Sequence, residues 1–342
     1  MQNSPLEIDL KKNDRILIVH HWDCDGICSA ALVRRYLLEI YSDIRVFTET
    51  GAIGKYYLTP EKLKAFKCIQ PDHIILCDFA LPRGDILRLV NMAHDLIIFD
   101  HHKQEEVRQA VHINPLIRGD ADSLMHPSAG WVINTHLCRP QEILSVLGAV
   151  GDQEDLVRGD NTVSRVLGEN GLDFGRAQEI VSNIDSCYIT GDEAHIRRLV
   201  KLLSNISFDV KSLLDDESLL DNRQRIGSAV SDIVEGGRDV DEDKKIVYAG
   251  YGSSYHIISS VARELSRRFP GYLVIVLNDP DREEANIYFR TRTDMDLRPV
   301  IELAHKKGYN AGGKKEVAGV ILPGRDAAGF IGRALGVLGP GT

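Results

Sequence analysis

The N-terminal half of the chain alternates between short apolar runs and amphipathic stretches. Arg15 to His20 (RILIVH) has the composition of a buried strand, and Gly26 to Ile40 has apolar residues at helical spacing. Further strands are predicted over Val46 to Glu49, His73 to Cys77 (HIILC) and Leu96 to Phe99 (LIIF). Strands that alternate with helices are typical of an α/β domain with a largely parallel sheet.

The pattern changes in the second half. Residues 160–236 are polar with apolar positions at helical spacing, and Gly236-Gly237-Arg238 followed by a charged run indicates a boundary. Beyond it, strands are predicted over Ile246 to Tyr248 and Tyr272 to Leu277, with a helix over Ile257 to Phe269 between them. A glycine-rich loop over Asn310 to Gly319 and a helix over Ala327 to Val337 complete the pattern.

These elements predict an α/β fold with two domains. We place a parallel-sheet domain at residues 1–190, a helical connector at 191–238 and a smaller α/β domain at 239–342. A length of 342 residues is consistent with two domains. We expect the two domains to face each other across a cleft.

Composition narrows the class of protein. Hydrophobic residues make up 43% and charged residues 27%, and no apolar run approaches the roughly 18 to 20 residues of a membrane span, so we expect a soluble protein. The N-terminus, Met1 to Pro5, lacks the basic start and apolar stretch of a secretory signal, which predicts a cytoplasmic location. The six cysteines form no CxxC pair, which argues against structural zinc or a disulfide framework.

The net charge of −9 argues against nonspecific binding of duplex DNA through a large basic face. It suits a metal site that is rich in carboxylates. The sequence leaves a homodimer open.

Acidic and histidine side chains follow the predicted strands of the first domain. The carboxyl ends of parallel strands meet at one edge of a sheet, where side chains from several strands converge. Carboxylates and imidazoles suit divalent ions, and two ions about 3.5 to 4 Å apart can clamp the attacking and leaving oxygens in phosphoryl chemistry. The candidate ligands are His21, Asp23, Asp25, Asp78, Asp100, His101, His102 and Asp152. The last of these, Asp152, follows a helix predicted over Gln141 to Val150.

Four segments resemble, in order and spacing, the motifs of the DHH phosphoesterase superfamily. They are His21-Trp22-Asp23-Cys24-Asp25-Gly26, the single Asp78, Asp100-His101-His102, and Gly151-Asp152. This superfamily includes RecJ-type exonucleases, oligoribonucleases, cyclic dinucleotide phosphodiesterases and manganese pyrophosphatases. The resemblance implies a hydrolase that uses two Mn²⁺ or Mg²⁺ ions.

The resemblance also implies roles for individual residues. His21, Asp23 and Asp78 would hold one ion, and Asp78 would bridge it to a second ion held by the set Asp25, Asp78, His101 and Asp152. His102 would contact the scissile phosphate or donate a proton to it.

Two neighbouring residues remain candidates for the same site. Asp100 and His20 would either bind a metal or orient the residues that do. Successive side chains of a strand point to opposite faces, so only one of His20 and His21 should face the site, and we favour His21.

A second resemblance, to the DHH-associated domain, lies in the C-terminal half. The strand Ile287 to Arg292, with Arg290 and Arg292, and the segment Gly312 to Gly319 match its Arg-Ser strand and GGGH-type loop in part. Lys314 takes the place of the loop histidine. Glycine backbone can approach a phosphate, and arginine and lysine can bind it, so these residues, with Gly313, are candidate substrate contacts.

We therefore predict a two-metal phosphodiesterase that removes nucleotides from an end of single-stranded or very short nucleic acid, as RecJ-like exonucleases and oligoribonucleases do. A cyclic dinucleotide phosphodiesterase needs the same ions and is the main alternative. A noncatalytic RecJ-like scaffold subunit of replication is a second alternative, against which the complete ligand set argues. The hypothesis of a manganese pyrophosphatase is supported only by Lys314-Lys315. The sequence does not distinguish RNA from DNA, or the polarity of cleavage.

Overall fold

The computed structural model describes residues 6, 9–117, 123–278 and 283–339, and all structural statements refer to these. Met1 to Pro5, on which the predicted location rests, lie outside them. The chain folds into two compact units, residues 1–223 and 224–342. In the described residues, no helix is both long enough and apolar enough to cross a membrane.

The first unit contains a five-stranded parallel sheet of order β2-β1-β3-β4-β5. The predicted strands are confirmed, and the three-residue β5, which is too short to show a periodic pattern, was not predicted. The two central strands β1 and β3 are apolar along their length because both of their faces are covered. The strands are β1 (Arg15–His20), β2 (Arg45–Thr50), β3 (His73–Cys77), β4 (Asp95–Phe99) and β5 (Val111–Ile113).

Helices surround this sheet. They are α1 (Cys24–Ile40), α2 (Pro60–Ile69), α3 (Arg83–Val90), α4 (Ala129–His136), α5 (Ile143–Gln153), α6 (Asn161–Glu169), α7 (Phe174–Thr190) and α8 (Glu193–Leu203). Helix α9 (Glu217–Gly236) follows them and runs across the boundary between the two units. Helix α1 packs against α4, α5 and α8. The apolar side of α8, with Ile196, Leu199 and Val200, is fully buried in the core of the first unit.

The second unit has a mixed six-stranded sheet of order β10-β11-β9-β8-β7-β6. Its strands are β6 (Arg238–Asp241), β7 (Ile246–Tyr251), β8 (Leu273–Asn278), β9 (Glu284–Arg290), β10 (Asn310–Lys314) and β11 (Val317–Pro323). Its helices are α10 (Ile258–Arg268), α11 (Arg298–Lys306) and α12 (Ala327–Leu338). A separate apolar core, which includes Phe289 and Phe330, lies between the sheet and the last two helices.

The prediction of a glycine-rich loop over residues 310–319 is wrong. This segment forms an antiparallel hairpin of β10 and β11, with Gly312 opposite Gly319. At Gly313 the backbone φ is 143°, and an added Cβ would lie 2.1 Å from the carbonyl oxygen of Val317, so only glycine fits. The glycines permit close packing of strands here, which a composition pattern does not separate from a loop.

Candidate metal centre

The turn from β1 into α1 carries the first three candidate ligands. Asp23 is the N-cap of α1, and its Oδ1 accepts a hydrogen bond from the Gly26 backbone N–H at 3.1 Å. An added Cβ at Gly26 would lie 2.4 Å from the carbonyl oxygen of His21. Glycine at this position therefore lets the turn close and brings His21, Asp23 and Asp25 to the carboxyl edge of the sheet.

Asp25 lies on the buried side of α1. Its carboxylate accepts hydrogen bonds from the backbone N–H groups of Ala129, at 2.6 Å, and Gly130, at 3.2 Å. These are the first two residues of α4, so the Asp25 carboxylate sits at the positive end of a helix. Helix α5 passes so close that a Cβ on Gly148 would lie 2.2 Å from Asp25 Oδ1.

Asp78 follows β3 in an uncommon backbone conformation. Its φ is 55°, in the left-handed region that aspartate tolerates better than most residues, and its N–H donates to the Phe99 carbonyl at 2.8 Å. The chain thus leaves the sheet sharply at Asp78. Its side chain is buried and lies between the residues of β1–α1 and those that follow β4.

The turn after β4 is held together by Asp100. Its Oδ1 accepts from the backbone N–H groups of His101 and His102 and from the ring Nδ1 of His102, at 2.7, 2.9 and 2.7 Å. The Nδ2 of Asn114 donates to the His102 carbonyl at 2.8 Å. Asp100 therefore fixes the orientation of the His102 ring, which is half exposed.

The candidate ligands form three groups that share Asp78. The first is His21, Asp23 and Asp78, the second is Asp25, Asp78, His101 and Asp152, and the third is Asp78, His101 and His102; the ligand atoms within each group lie within 4.8 Å of one another. His21 Nδ1 is 2.7 Å from Asp23 Oδ2, and His101 Nε2 is 2.9 Å from Asp152 Oδ2. The first two groups have the same members as the two ligand sets that the resemblance implies.

Buried polar atoms at the centre lack partners. Among the described residues, His101 Nε2, His21 Nε2 and Asp78 Oδ1 are buried without a hydrogen bond. The other ring nitrogen of His101, Nδ1, lies 3.3 Å from the His126 carbonyl, which leaves Nε2 directed at the carboxylates. Buried atoms of this kind are costly unless something binds them, and a cation between the carboxylates and the His101 ring would satisfy His101 Nε2 and Asp78 Oδ1.

The charges at the centre also favour a cation. Burial and the nearby Asp152 raise the pKa of Asp25 to about 7, and burial with the Asp25 and Asp23 charges raises the pKa of Asp78 well above its usual range. Burial would lower the pKa of His101, but the Asp152 and Asp78 carboxylates raise it to about 12. Without a metal, the centre therefore holds protons in place of cations, and the residues fit two divalent ions.

The sequence profile described as the DHH family, N-terminal domain, matches residues 15–147. This range lies within the first unit and contains the motifs at His21, Asp78 and Asp100. Residues 15–147 therefore form a domain of the DHH family. The match ends five residues before Asp152, whose place in the centre is given by the geometry.

Solved structures share the fold of this DHH protein. The DHH domain of a protein described as a member of a family of ribosomal proteins is 12% identical, with a TM-score of 0.70 over 96% of this chain and 88% of its own. Exonuclease RecJ bound to manganese is 16% identical, with a TM-score of 0.64 and coverages of 96% and 91%. RecJ from Thermus thermophilus in complex with Mn²⁺ is 17% identical, with a TM-score of 0.65 over 95% of this chain and 52% of its own. No curated protein sequence matches the chain.

Two candidates, His20 and Asp100, lie outside all of these ligand groups. His20 is fully buried, its Nδ1 lies 2.6 Å from the His21 carbonyl, and burial lowers its pKa to about 4. The Oδ1 of Asp100 accepts the hydrogen bonds from His101 and His102, and its Oδ2 accepts a hydrogen bond from Gln104 Nε2 at 2.8 Å. Their contacts are those of residues that orient the ligands.

Sequence reasoning missed a carboxylate behind the centre. Asp185 of α7 accepts a hydrogen bond from the backbone N–H of Cys24 at 2.8 Å, so it caps the N-terminus of α1 between the two ligands Asp23 and Asp25. Burial and the Asp23 charge raise the pKa of Asp185 well above its usual range. No local signal could have found it, because 161 residues separate it from its partner.

The candidate substrate residues of the second unit gather near one edge of its sheet. Arg290 ends β9 and Lys314 ends β10, and each pairs with Val317, which lies between them on β11. The Nε of Arg290 is buried without a hydrogen bond among the described residues. Lys314 Nζ lies 2.9 Å from Glu316 Oε1, so its charge is partly matched within the hairpin.

The remaining candidates differ in exposure. Gly312 is exposed on β10 and has open space where a side chain would lie, whereas Gly313 has a structural requirement for glycine. Arg292 is exposed, and its Nε is 3.4 Å from the Ser266 hydroxyl.

Proposed function

We propose that this protein is a two-metal phosphodiesterase that hydrolyses single-stranded or short nucleic acid from an end, in the manner of RecJ-like exonucleases and oligoribonucleases. The observation that carries the proposal is the pair of ligand groups that share Asp78, in which buried polar atoms of His101 and Asp78 make no hydrogen bond. A set of this kind, with both histidine and carboxylate ligands, suits Mn²⁺ or Mg²⁺.

His21, Asp23 and Asp78 would hold one ion, and Asp25, Asp78, His101 and Asp152 the other. When bound, the two cations would lower the pKa of a water molecule and offset the charge of the phosphate oxygens. Exonuclease RecJ, which shares the fold, has been crystallised with manganese.

His102 has the geometry of a proton donor. Its ring is half exposed, and its Nδ1 is held by Asp100 at 2.7 Å, so Nε2 is the nitrogen left for substrate. Burial would lower the pKa of His102, but the hydrogen bond to Asp100 and its charge raise it, which favours the protonated ring. A protonated imidazole can bind the scissile phosphate or donate a proton to the leaving oxygen.

Arg290 and Lys314 supply positive charge on a protein whose net charge is −9. An arginine with an unpartnered Nε and a lysine on the neighbouring strand suit a phosphate of the substrate chain. We infer that the hairpin edge of the second unit, including Arg292 and Gly312, contacts the substrate away from the bond that is cleaved.

The test is hydrolysis by the purified full-length chain with Mn²⁺, with Mg²⁺ and with a chelator. The substrates are a 5′-labelled RNA dinucleotide, a labelled single-stranded DNA oligomer and cyclic di-AMP. Asp78→Asn is the inactive variant, because asparagine also tolerates the left-handed backbone at this position. Asp43→Asn, at an exposed aspartate of the same unit, is the matched control.

Metal-dependent cleavage by the wild type and by Asp43→Asn, with loss of about a thousandfold or more in Asp78→Asn, is the expected result. The preferred substrate then identifies the substrate class of the enzyme. A preference for cyclic di-AMP would mean that the substrate is a cyclic dinucleotide and not a nucleic acid strand. Binding of Mn²⁺ without cleavage of any substrate would contradict the proposal and favour a noncatalytic subunit.

A further inference from the structure

Aromatic rings surround the candidate ligand His21. The ring of Trp22 lies 4.2 Å from that of His21, Phe79 lies 5.5 Å from it and Tyr56 lies 5.8 Å from it, measured between centroids. Trp22 also contacts Tyr56 and Phe79, at 5.3 and 5.4 Å with edge-to-face geometry. We call Trp22, Tyr56 and Phe79 the aromatic cluster.

Core packing explains only part of this cluster. Trp22 and Phe79 are 3% and 1% exposed, so they belong to the apolar core. Tyr56 is 52% exposed, and the next residue, Tyr57, is 40% exposed. Tyr56 therefore combines a ring contact with the candidate ligand His21 with an exposed face that core packing does not use.

The segment that carries Tyr56 is anchored at both ends. A Cβ on Gly51 would lie 2.4 Å from the Phe79 ring, so this glycine lets the chain leave β2 directly over Phe79. On the other side, the buried Leu58 donates its backbone N–H to Asp85 Oδ2 at 3.0 Å, just before α2 begins. Tyr56 is thus an exposed ring with a packed support behind it.

We propose that Tyr56 stacks on the nucleobase adjacent to the scissile phosphate. This inference rests on the proposed function, because it takes the phosphate to be held at the metal centre. A group that contacts Tyr56 while its phosphate lies beside His21 must be a near neighbour of that phosphate, and in a nucleotide chain this neighbour is a nucleoside. The flat face of every base can stack on an aromatic ring, so the contact gives affinity without sequence preference.

The chemistry of the surroundings favours a base over an anionic or aliphatic group. Tyr56 brings no positive charge, and the two ions would already hold the scissile phosphate, so the ring itself offers nothing to a further anion. An aliphatic chain would bury the ring without the benefit of stacking. The aromatic cluster would therefore make the enzyme select phosphodiesters that carry a base.

The experiment compares two substrates that differ only at one position. Each is a short single strand, with either an adenine or an abasic residue at the nucleotide next to the cleaved bond. For the wild type we expect kcat/KM to be roughly 5- to 150-fold higher on the adenine substrate, the range that corresponds to stacking of one base. Tyr56→Ala should bring this ratio close to one, mainly through KM, and Tyr56→Phe should keep it.

The matched control is Phe47→Ala, which removes another partly exposed aromatic ring from the same unit and should leave the ratio as in the wild type. A wild-type ratio in Tyr56→Ala would overturn the inference. Equal loss in Tyr56→Phe and Tyr56→Ala would also overturn it, because the hydroxyl and not the ring would then be responsible.

A binding measurement separates this inference from the proposed function. With Mg²⁺ present, stacking should quench the fluorescence of a 2-aminopurine mononucleotide, and Tyr56→Ala should lose the quenching while Phe47→Ala keeps it. If the wild type cleaves no nucleic acid, the proposed function fails, and quenching that depends on Tyr56 still supports a base at this position. If quenching is the same in wild type and Tyr56→Ala, the stacking proposal fails whatever the protein hydrolyses.

Discussion

At the scale of single residues, Asp78 is the position on which the candidate centre depends. It is the one residue common to all three ligand groups, and its left-handed backbone turns the chain out of the sheet. Alanine would be strained there in addition to losing the carboxylate, because it lacks the short polar side chain with which aspartate and asparagine tolerate this conformation. Activity lost in Asp78→Ala could thus have two causes, whereas Asp78→Asn isolates the loss of charge.

The carboxylates of the centre predict a competition between protons and metal ions. Asp25 has a pKa of about 7 in the metal-free fold against an ordinary value of 3.8, so it is protonated below pH 7 and a cation must displace that proton. Its contribution to the stability of the metal-free protein is largest at low pH and is lost as pH rises from 3.8 to about 7. A bound cation reverses this loss.

We therefore expect Mn²⁺ affinity to rise with pH by roughly tenfold per pH unit for each proton displaced, and to rise less steeply above about 7, where Asp25 no longer holds a proton. Calorimetric titration at several pH values, in two buffers with different ionisation enthalpies, measures both the affinity and the protons released. Affinity that stays constant from about pH 5.5 to about pH 8 without proton release would contradict the shifted pKa.

At the scale of secondary-structure elements, two helices hold the centre through contacts that have no sequence signal. α5 approaches the Asp25 carboxylate at Gly148, and α7 caps α1 through Asp185. The ligands themselves were predictable because each follows an apolar run that identifies a strand or helix end. Gly148 and Asp185 were not, because their partners are more than a hundred residues away in the chain.

Gly148→Ala tests the approach of α5. Alanine in a helix interior is normally more stable than glycine by about 1 kcal/mol, but here its Cβ would lie 2.2 Å from Asp25 Oδ1. We expect Mn²⁺ affinity to fall by about tenfold or more and stability to fall, because the carboxylate must move. Gly332→Ala in α12, where no atom lies within 4 Å of the added Cβ, is the control and should be neutral or stabilising.

Titration with Mn²⁺ and urea unfolding measure the two effects. Wild-type metal affinity in Gly148→Ala would show that α5 does not constrain Asp25.

Asp185 provides a second test, through the cap of α1. Asp185→Ala removes the acceptor of the Cys24 N–H and should cost about 1 kcal/mol in unfolding free energy, with weaker Mn²⁺ binding because Asp23 and Asp25 flank the released N–H. Asp185→Asn keeps an acceptor oxygen and should retain most of both properties. Urea unfolding and Mn²⁺ titration of the two variants are the measurements, and similar defects in both would assign the effect to the charge of Asp185 and not to the cap.

At the scale of the whole molecule, the two units have separate apolar cores, and the candidate metal ligands among the described residues all belong to the first unit. The α/β class of both units could be predicted from apolar periodicity. The hairpin at residues 310–323 could not, since its glycines serve strand packing, nor could the short edge strand β6, which lies in a charged segment.

Metal binding should consequently stabilise one unit and not the other. We expect calorimetry to resolve two unfolding transitions, and Mn²⁺ should raise the midpoint temperature of only one of them. The unfolding free energy of that unit should increase by about 2.7 kcal/mol at a free Mn²⁺ concentration about 100 times Kd. A chelator should reverse the shift, and Asp78→Asn should abolish it. Equal shifts of both transitions would mean that the units unfold as one.

The ligands also differ in when they are made. His21 leaves the ribosome early, but Asp152 and the cap residue Asp185 follow only after most of the first unit has been synthesised. Pairing across so many residues is slow to form, since the intervening chain must be ordered first. The nascent chain therefore has to build most of its sheet before the group that contains Asp152 is complete, and loading of that group with metal would come late in the folding of this unit.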